Sequence, residues 1–330
     1  MGVYIPILRT AQAELGALKE LSSSAMDKVM PYLFYRDTSQ RTSLDKFCEV
    51  LLRYERFFLE FPDHPNNSHF RTPEEQRLKF QDLIENSFPV IPVISNSEKV
   101  KRRDLIQHGL SLYNLANALG IRIRVDNSHD LYIAAAIYDT VPDPQRLTIF
   151  VDFNRVYSKE EILKKFSYYP QFFDEAMITF TGTVWGENQS EFKKGEITKV
   201  DNYLFLAWRE LNRNLKMPYS DSLTDNLNSI IPSSDETFYL KLIPYFKWLS
   251  LDGTDFLVIR AEEDDPALAK EIARDLINSY PHYFHESGVC AGCNDIRRVA
   301  DPGSESKSNP TTRKKMSFVH HMEVIASLLP

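Results

Sequence analysis

Hydrophobic positions along the chain follow two repeats in turn. Short runs rich in Ile, Val, Phe and Tyr are separated by longer stretches whose apolar residues recur every three or four positions, the spacings of strands and of amphipathic helices. The runs are Tyr4–Leu8, Val29–Tyr35, Phe88–Ile94, Ile121–Val125, Arg146–Phe153, Met177–Val184, a weak one at Met217–Ser220, and Ile243–Leu249. Between them the spacing predicts helices over Ala11–Leu21, Leu44–Phe58, Glu74–Glu85, Asp104–Leu119 (with Gly120 as its C-cap), Leu131–Tyr138, a segment opened by the cap Ser158-Lys-Glu-Glu161, and Thr198–Leu215. The polar stretch Pro62–Pro73 reads as a loop. Asp255–Arg260 pairs with the eighth run through a turn at Asp252-Gly253. Asp265-Pro266 starts a helix to about Tyr280, and residues 301–315, rich in Ser, Pro, Asn and Lys, read as a mobile loop before an ordered apolar segment, Ser317–Leu329.

Eight β signals, most followed by a helix, predict an α/β fold: a single (β/α)8 TIM-barrel-like domain over 1–330. The eight βα units span 1–250, and 251–330 form a C-terminal hairpin and loop elaboration carrying the mobile loop. The rival is an open doubly wound sheet, whose Gly-rich turn after the first strand is missing. Pro6, Pro31, Pro89, Pro92, Pro218 and Pro244 recur within or at the start of the runs, as suits a residue with no ladder donor.

Composition sharpens this. Only 11 of 330 residues are Gly, none in a G-x-G pair or before Lys-Ser or Lys-Thr, which excludes standard dinucleotide and P-loop phosphate cradles. The net charge of −7 gives no basic surface for nucleic acid. The local run Lys99, Lys101, Arg102 and Arg103 reads as a solvated helix start, with a phosphate contact as the alternative. The 16 Tyr and 21 Phe read as core rather than as a base-stacking platform. No apolar stretch reaches the roughly 18–20 residues that span a bilayer. Three cysteines, an odd number, argue against a disulfide framework, so a cytoplasmic protein is expected.

Chemistry in such a barrel belongs at the C-terminal strand ends. The candidates there are Arg9, Arg124, Asp126, Asp152, Asp221 and Lys247, a mixture suited to acid–base or phosphate work, or equally to ordinary ion pairs. Cys290-Ala-Gly-Cys293 supplies half of a tetrahedral zinc site, with His320 and His321 as the weaker partners and His282 and His285 nearby. Incidental structural thiols are the default, and no cofactor is required. Adjacent His residues on a strand would face opposite sides, so one metal would not take both. Cys48 reads as core. No G-x-S-x-G or H-E-x-x-H motif occurs.

Several of these segments, in this order, resemble the phage beta protein family: Tyr4-Ile-Pro-Ile-Leu-Arg9, Ala11–Leu18, Met30-Pro-Tyr-Leu-Phe-Tyr35, Ile91-Pro-Val-Ile94, Leu147–Asp152, Tyr219-Ser-Asp221, Tyr245–Arg260 and His320-His321. The chain departs from the family where Tyr219-Ser-Asp221 lacks a Gly and where Gly292–Asp295 replaces a Trp-Gly-Asp-like segment. The resemblance implies a component of prophages, satellites or defence islands, encoded beside a small toxic protein. It implies anti-phage defence or phage exclusion through a protein partner, either antitoxin-like restraint of a toxin or sensing of a phage product. No catalytic residues are inherited from it. The alternative is a barrel hydrolase or phosphate-handling enzyme working at the strand ends. Neither membrane insertion nor nucleic-acid binding is expected.

Overall fold

The computed structural model describes residues 2–36, 43–63, 69–95, 100–186, 191–223, 245–263, 265, 267–304 and 308–330. Among them, eight parallel strands form a nearly closed barrel: β1 (Tyr4–Arg9), β2 (Tyr32–Phe34), β3 (Phe57–Glu60), β4 (Val90–Ser95), β5 (Leu119–Arg124), β6 (Leu147–Arg155), β7 (Met177–Thr183) and, after β8 (Ile197–Asp201), β9 (Tyr219–Asp221). β9 pairs with β1, Tyr4 opposite Tyr219. The seam to β7 is bridged by the Ser222 amide on the Gly182 carbonyl (3.1 Å) and the Thr179 hydroxyl on the Pro218 carbonyl (2.9 Å).

Helices surround the strands: α1 (Gln12–Glu20), α2 (Ser23–Met26), α3 (Leu44–Leu51), α4 (Pro73–Glu85), α5 (Arg102–Ala116), α6 (Ser128–Tyr138), α7 (Lys159–Phe166) and α8 (Tyr203–Leu215). Their entries are chemically specified. Thr72 and Glu75 form a capping box at α4, and Ser158 caps α7 by accepting the Glu161 amide. Strand alternation divides the core in two. Ile5, Ile7, Tyr32, Phe34, Phe58, Ile91, Val93 and Phe150 fill the barrel, while the larger cluster lies between strands and helices.

A second, antiparallel sheet is built from β10 (Tyr245–Leu249), β11 (Asp255–Arg260) and β8, with the turn at Gly253 in a left-handed conformation (φ 74°). Then come α9 (Leu268–Ser279), α10 (Ala291–Ala300) and α11 (Pro310–Leu328). α11 covers the outer face of β1 and β9, with the His321 and Tyr4 rings stacked at 6.3 Å, and so stands where an eighth barrel helix would.

Five expectations are corrected. The predicted helix over Leu44–Phe58 stops at Leu51, and Phe57–Glu60 is a barrel strand because Phe58 pairs with both Tyr32 and Ile91. The eighth run is not a barrel strand, because its residues pair antiparallel with β11; β3 makes up the count. The helix predicted from Thr198 begins at Tyr203, capped by Asn202, and Ile197–Asp201 is strand. Asn117, in left-handed conformation, ends α5, while Gly120 lies inside β5, where a Cβ would meet Val93 at 2.8 Å. The loop predicted over 301–315 already turns helical at Pro310, and His320-His321 lie on that helix, not on a strand. Pro6 and Pro92 sit within strands, while Pro31, Pro89 and Pro218 directly precede them. Lys99, Pro244, Pro266, residues 64–68 of the predicted loop and residues 305–307 lie outside the described residues.

Candidate functional site

A charged layer caps the apolar barrel interior at the C-terminal strand ends. Alternation places it: Ile7 precedes Arg9, Phe34 precedes Arg36, Phe58 precedes Glu60, Gly120 precedes Arg122 and Phe150 precedes Asp152, each two residues on and on the same face. Arg122 holds Glu60 through Nε at 3.0 Å and a terminal nitrogen at 2.7 Å, and its other terminal nitrogen reaches Asp152 at 2.6 Å. The Tyr32 hydroxyl donates to Glu60 (2.5 Å) and the Asn154 amide to Asp152 (2.7 Å). The guanidinium also lies 5.1 Å from the Phe34 ring centre. Burial opposes the Arg122 charge, yet Glu60 and Asp152 raise its pKa well above the ordinary value. Burial and the Glu60 charge together push the Tyr32 phenol far up, so it stays a donor. All four carboxylate oxygens accept hydrogen bonds. The arrangement ties β2, β3, β5 and β6 together as a clamp.

The predicted strand-end residues do not converge. Arg9 and Asp152 belong to the layer, with Arg9 Nε 3.8 Å from Glu14 at the start of α1. Arg124 turns to Asp130 on α6 (3.0 Å). Asp126 is an exposed turn residue with φ 62°, paired with Lys165 at 2.6 Å. Asp221 faces outward to α11, and Lys247 lies in the antiparallel sheet with Nζ 3.9 Å from the Trp185 ring. Glu60, Arg122 and Tyr32 escape the sequence reading. The alternation Gly120-Ile-Arg122 could have flagged Arg122, but Glu60 was hidden by the helical reading of Leu44–Phe58. At the opposite end a largely apolar pocket of about 430 Å³ opens among Val3, Met177, Trp208, Met217 and Pro218. In the basic run, Arg102 opens α5 with its guanidinium 4.7 Å from the Tyr132 ring, beside His129.

Asp221 anchors α11 to the barrel. Its carboxylate accepts from Tyr4 (2.7 Å), Tyr219 (2.6 Å), the Leu223 amide (3.1 Å) and His321 Nε2 (2.9 Å). Burial alone would raise the Asp221 pKa, but His321 and the two phenols outweigh it and hold the carboxylate ionised below its ordinary range.

On the other side of α11, His320 meets the cysteine pair. Its Nδ1 stands 3.3 Å from Cys293 Sγ and 3.9 Å from Cys290 Sγ, and all three residues are fully buried. The two thiols titrate as a pair: contact with Cys293 and His320 draws Cys290 down, while Cys290 and burial push Cys293 up. Among the described residues these three form the one His, Cys and carboxylate group compact enough to hold a metal. His282 is exposed beside Tyr283, and Cys48 is a core thiol pushed up to about 12 by burial.

A family model for beta protein matches residues 4–326. Protein beta of Enterobacteria phage P4 is 22% identical over 309 residues, covering 86% of this chain and 82% of that protein. Among solved structures, an endo-β-N-acetylglucosaminidase from Cordyceps militaris aligns at 9% identity and TM-score 0.35, over 70% of this chain and 84% of its own. The spore cortex-lytic enzyme SleL of Bacillus megaterium aligns at 10% identity and TM-score 0.36, over 86% and 69%. The match from β1 to α11 settles the family: the chain belongs to the beta protein family.

Proposed function

We propose that the protein is a binding component of a phage-exclusion or defence locus, restraining a neighbouring toxic protein rather than carrying out chemistry at the barrel mouth. The observation that carries this is the Arg122 clamp. Among the described residues, Glu60 and Asp152 are acids that strands carry into the layer at the barrel mouth, and each of their oxygens already accepts a hydrogen bond. A general acid or base needs a carboxyl group that can reach substrate and exchange a proton. Both oxygens of Glu60 are engaged by Arg122, and the side chain is fully buried. Kinship with a phage P4 protein supports the setting. An exposed aromatic pair beyond α7, Tyr168 against Phe172 at 4.9 Å, supplies surface of the kind that partner proteins cover.

Co-expression with the product of the adjacent reading frame tests the proposal. Growth rescued when this protein is present, with the two products co-purifying, is the expected result. Equal toxicity with and without it overturns the restraint reading.

A further inference from the structure

We infer that Cys290, Cys293 and His320 form a structural zinc site, completed by His285, that fastens α10 to α11. The spacing fits a metal. With Zn–S near 2.3 Å and Zn–N near 2.05 Å, tetrahedral geometry separates sulfur from nitrogen by about 3.6 Å. The two Sγ–Nδ1 distances, 3.3 and 3.9 Å, bracket that value. The tautomer fits as well. His320 Nε2 lies 2.8 Å from the Leu249 carbonyl, a bond it makes as donor, so the Nδ1 lone pair is left facing the sulfurs. A ligating histidine is characteristically held this way, by its other N–H on a carbonyl.

His285 is the fourth ligand for two reasons. Its buried Nε2 has no hydrogen-bond partner among the described residues. Its ring centre lies 5.8 Å from that of His320, against the roughly 5 Å that two imidazoles on one tetrahedral ion require, so the His285 ring must move inward to close the site on a metal. The fold also makes room: at Gly292, between the two cysteines, a Cβ would lie 2.4 Å from the Met316 carbonyl, so only Gly lets the helices close on the site. A redox dithiol is disfavoured by access, since thiol–disulfide exchange needs an approaching thiolate and both sulfurs are fully buried. Binding takes both sulfurs as thiolates, so the proton that the thiol pair still holds goes to solvent, with no change of oxidation state.

The natural protein, purified without chelator, is expected to carry one zinc per chain by elemental analysis. Removing the zinc should lower the melting temperature. Cobalt(II) added to the stripped protein should give the d–d bands of a tetrahedral site and sulfur-to-metal charge transfer. His285→Ala should weaken cobalt binding by about tenfold or more, and Cys293→Ser should reduce the charge transfer to that of the one remaining thiolate. Protein that arrives without metal and gives no cobalt spectrum overturns the site, as does a Cys290–Cys293 disulfide found by mass spectrometry. Unchanged cobalt affinity in His285→Ala overturns the fourth ligand.

Discussion

Gly292 lies directly against His320: a methyl group at position 292 would stand 3.0 Å from the His320 backbone nitrogen and 2.4 Å from the Met316 carbonyl oxygen. Backbone cannot swing aside as a side-chain tip can, so the two helices would have to part. Gly292→Ala is therefore expected to destabilise the protein by about 1–3 kcal/mol in urea unfolding, the range for overpacking. Wild-type stability would show that α10 and α11 are not in this contact.

The clamp makes a second prediction. Arg122→Ala leaves Glu60 and Asp152 buried without their counter-charge, and breaking a buried ion pair in this way costs about 3–5 kcal/mol. Adding Glu60→Gln removes one of the stranded charges and should recover part of the loss. Equal stability of the single and double variants, measured by denaturant midpoint at constant slope, would contradict the pairing.

Stability should also depend on pH through His108. This imidazole is buried beside Gln76 (3.1 Å), and burial, helped by the Arg77 charge, lowers its pKa to about 4. As pH falls through about 6.5 the unfolded chain takes up a proton here. The folded chain does so only near 4. Between those values the unfolded state holds more protons, so stability rises with pH across the window and falls as the solution is acidified. The loss approaches about 3 kcal/mol at the acid end. His108→Gln, which cannot titrate, should remove that part of the slope in unfolding measured from pH 7 to pH 4; an unchanged slope would contradict the assignment.

Seven of the eight barrel strands were legible as apolar runs because parallel strands buried on both faces carry little polar alternation. β3 was not, since Phe57-Phe-Leu-Glu60 continues the apolar spacing of α3 and only pairing with β2 and β4 makes it a strand. Tyr245–Leu249 is as apolar as a barrel strand, and its partner β11, not its composition, takes it into the other sheet. The members of the thiol–histidine cluster, Cys290, Cys293 and His320, were legible, but not which of His282, His285, His320 and His321 would meet the sulfurs. Residues 320 and 321 are about 100° apart on a helix, which sends His320 to the sulfurs and His321 to Asp221. The two histidines do point apart, though a helix rather than a strand produces the split and neither reaches solvent, both being buried. The clamp was least visible, because Glu60, Arg122 and Asp152 come from three strands and meet only once the barrel closes.

The claim that this protein works by binding rather than by acid–base chemistry at the barrel mouth is tested most directly with Asp152→Asn in the toxin co-expression assay. Asparagine keeps an oxygen acceptor for the Arg122 contact but cannot exchange a proton. The account predicts undiminished rescue by a variant whose thermal melt shows it folded. Loss of rescue by about a hundredfold or more, the scale of a missing general acid or base, in a folded variant would contradict it.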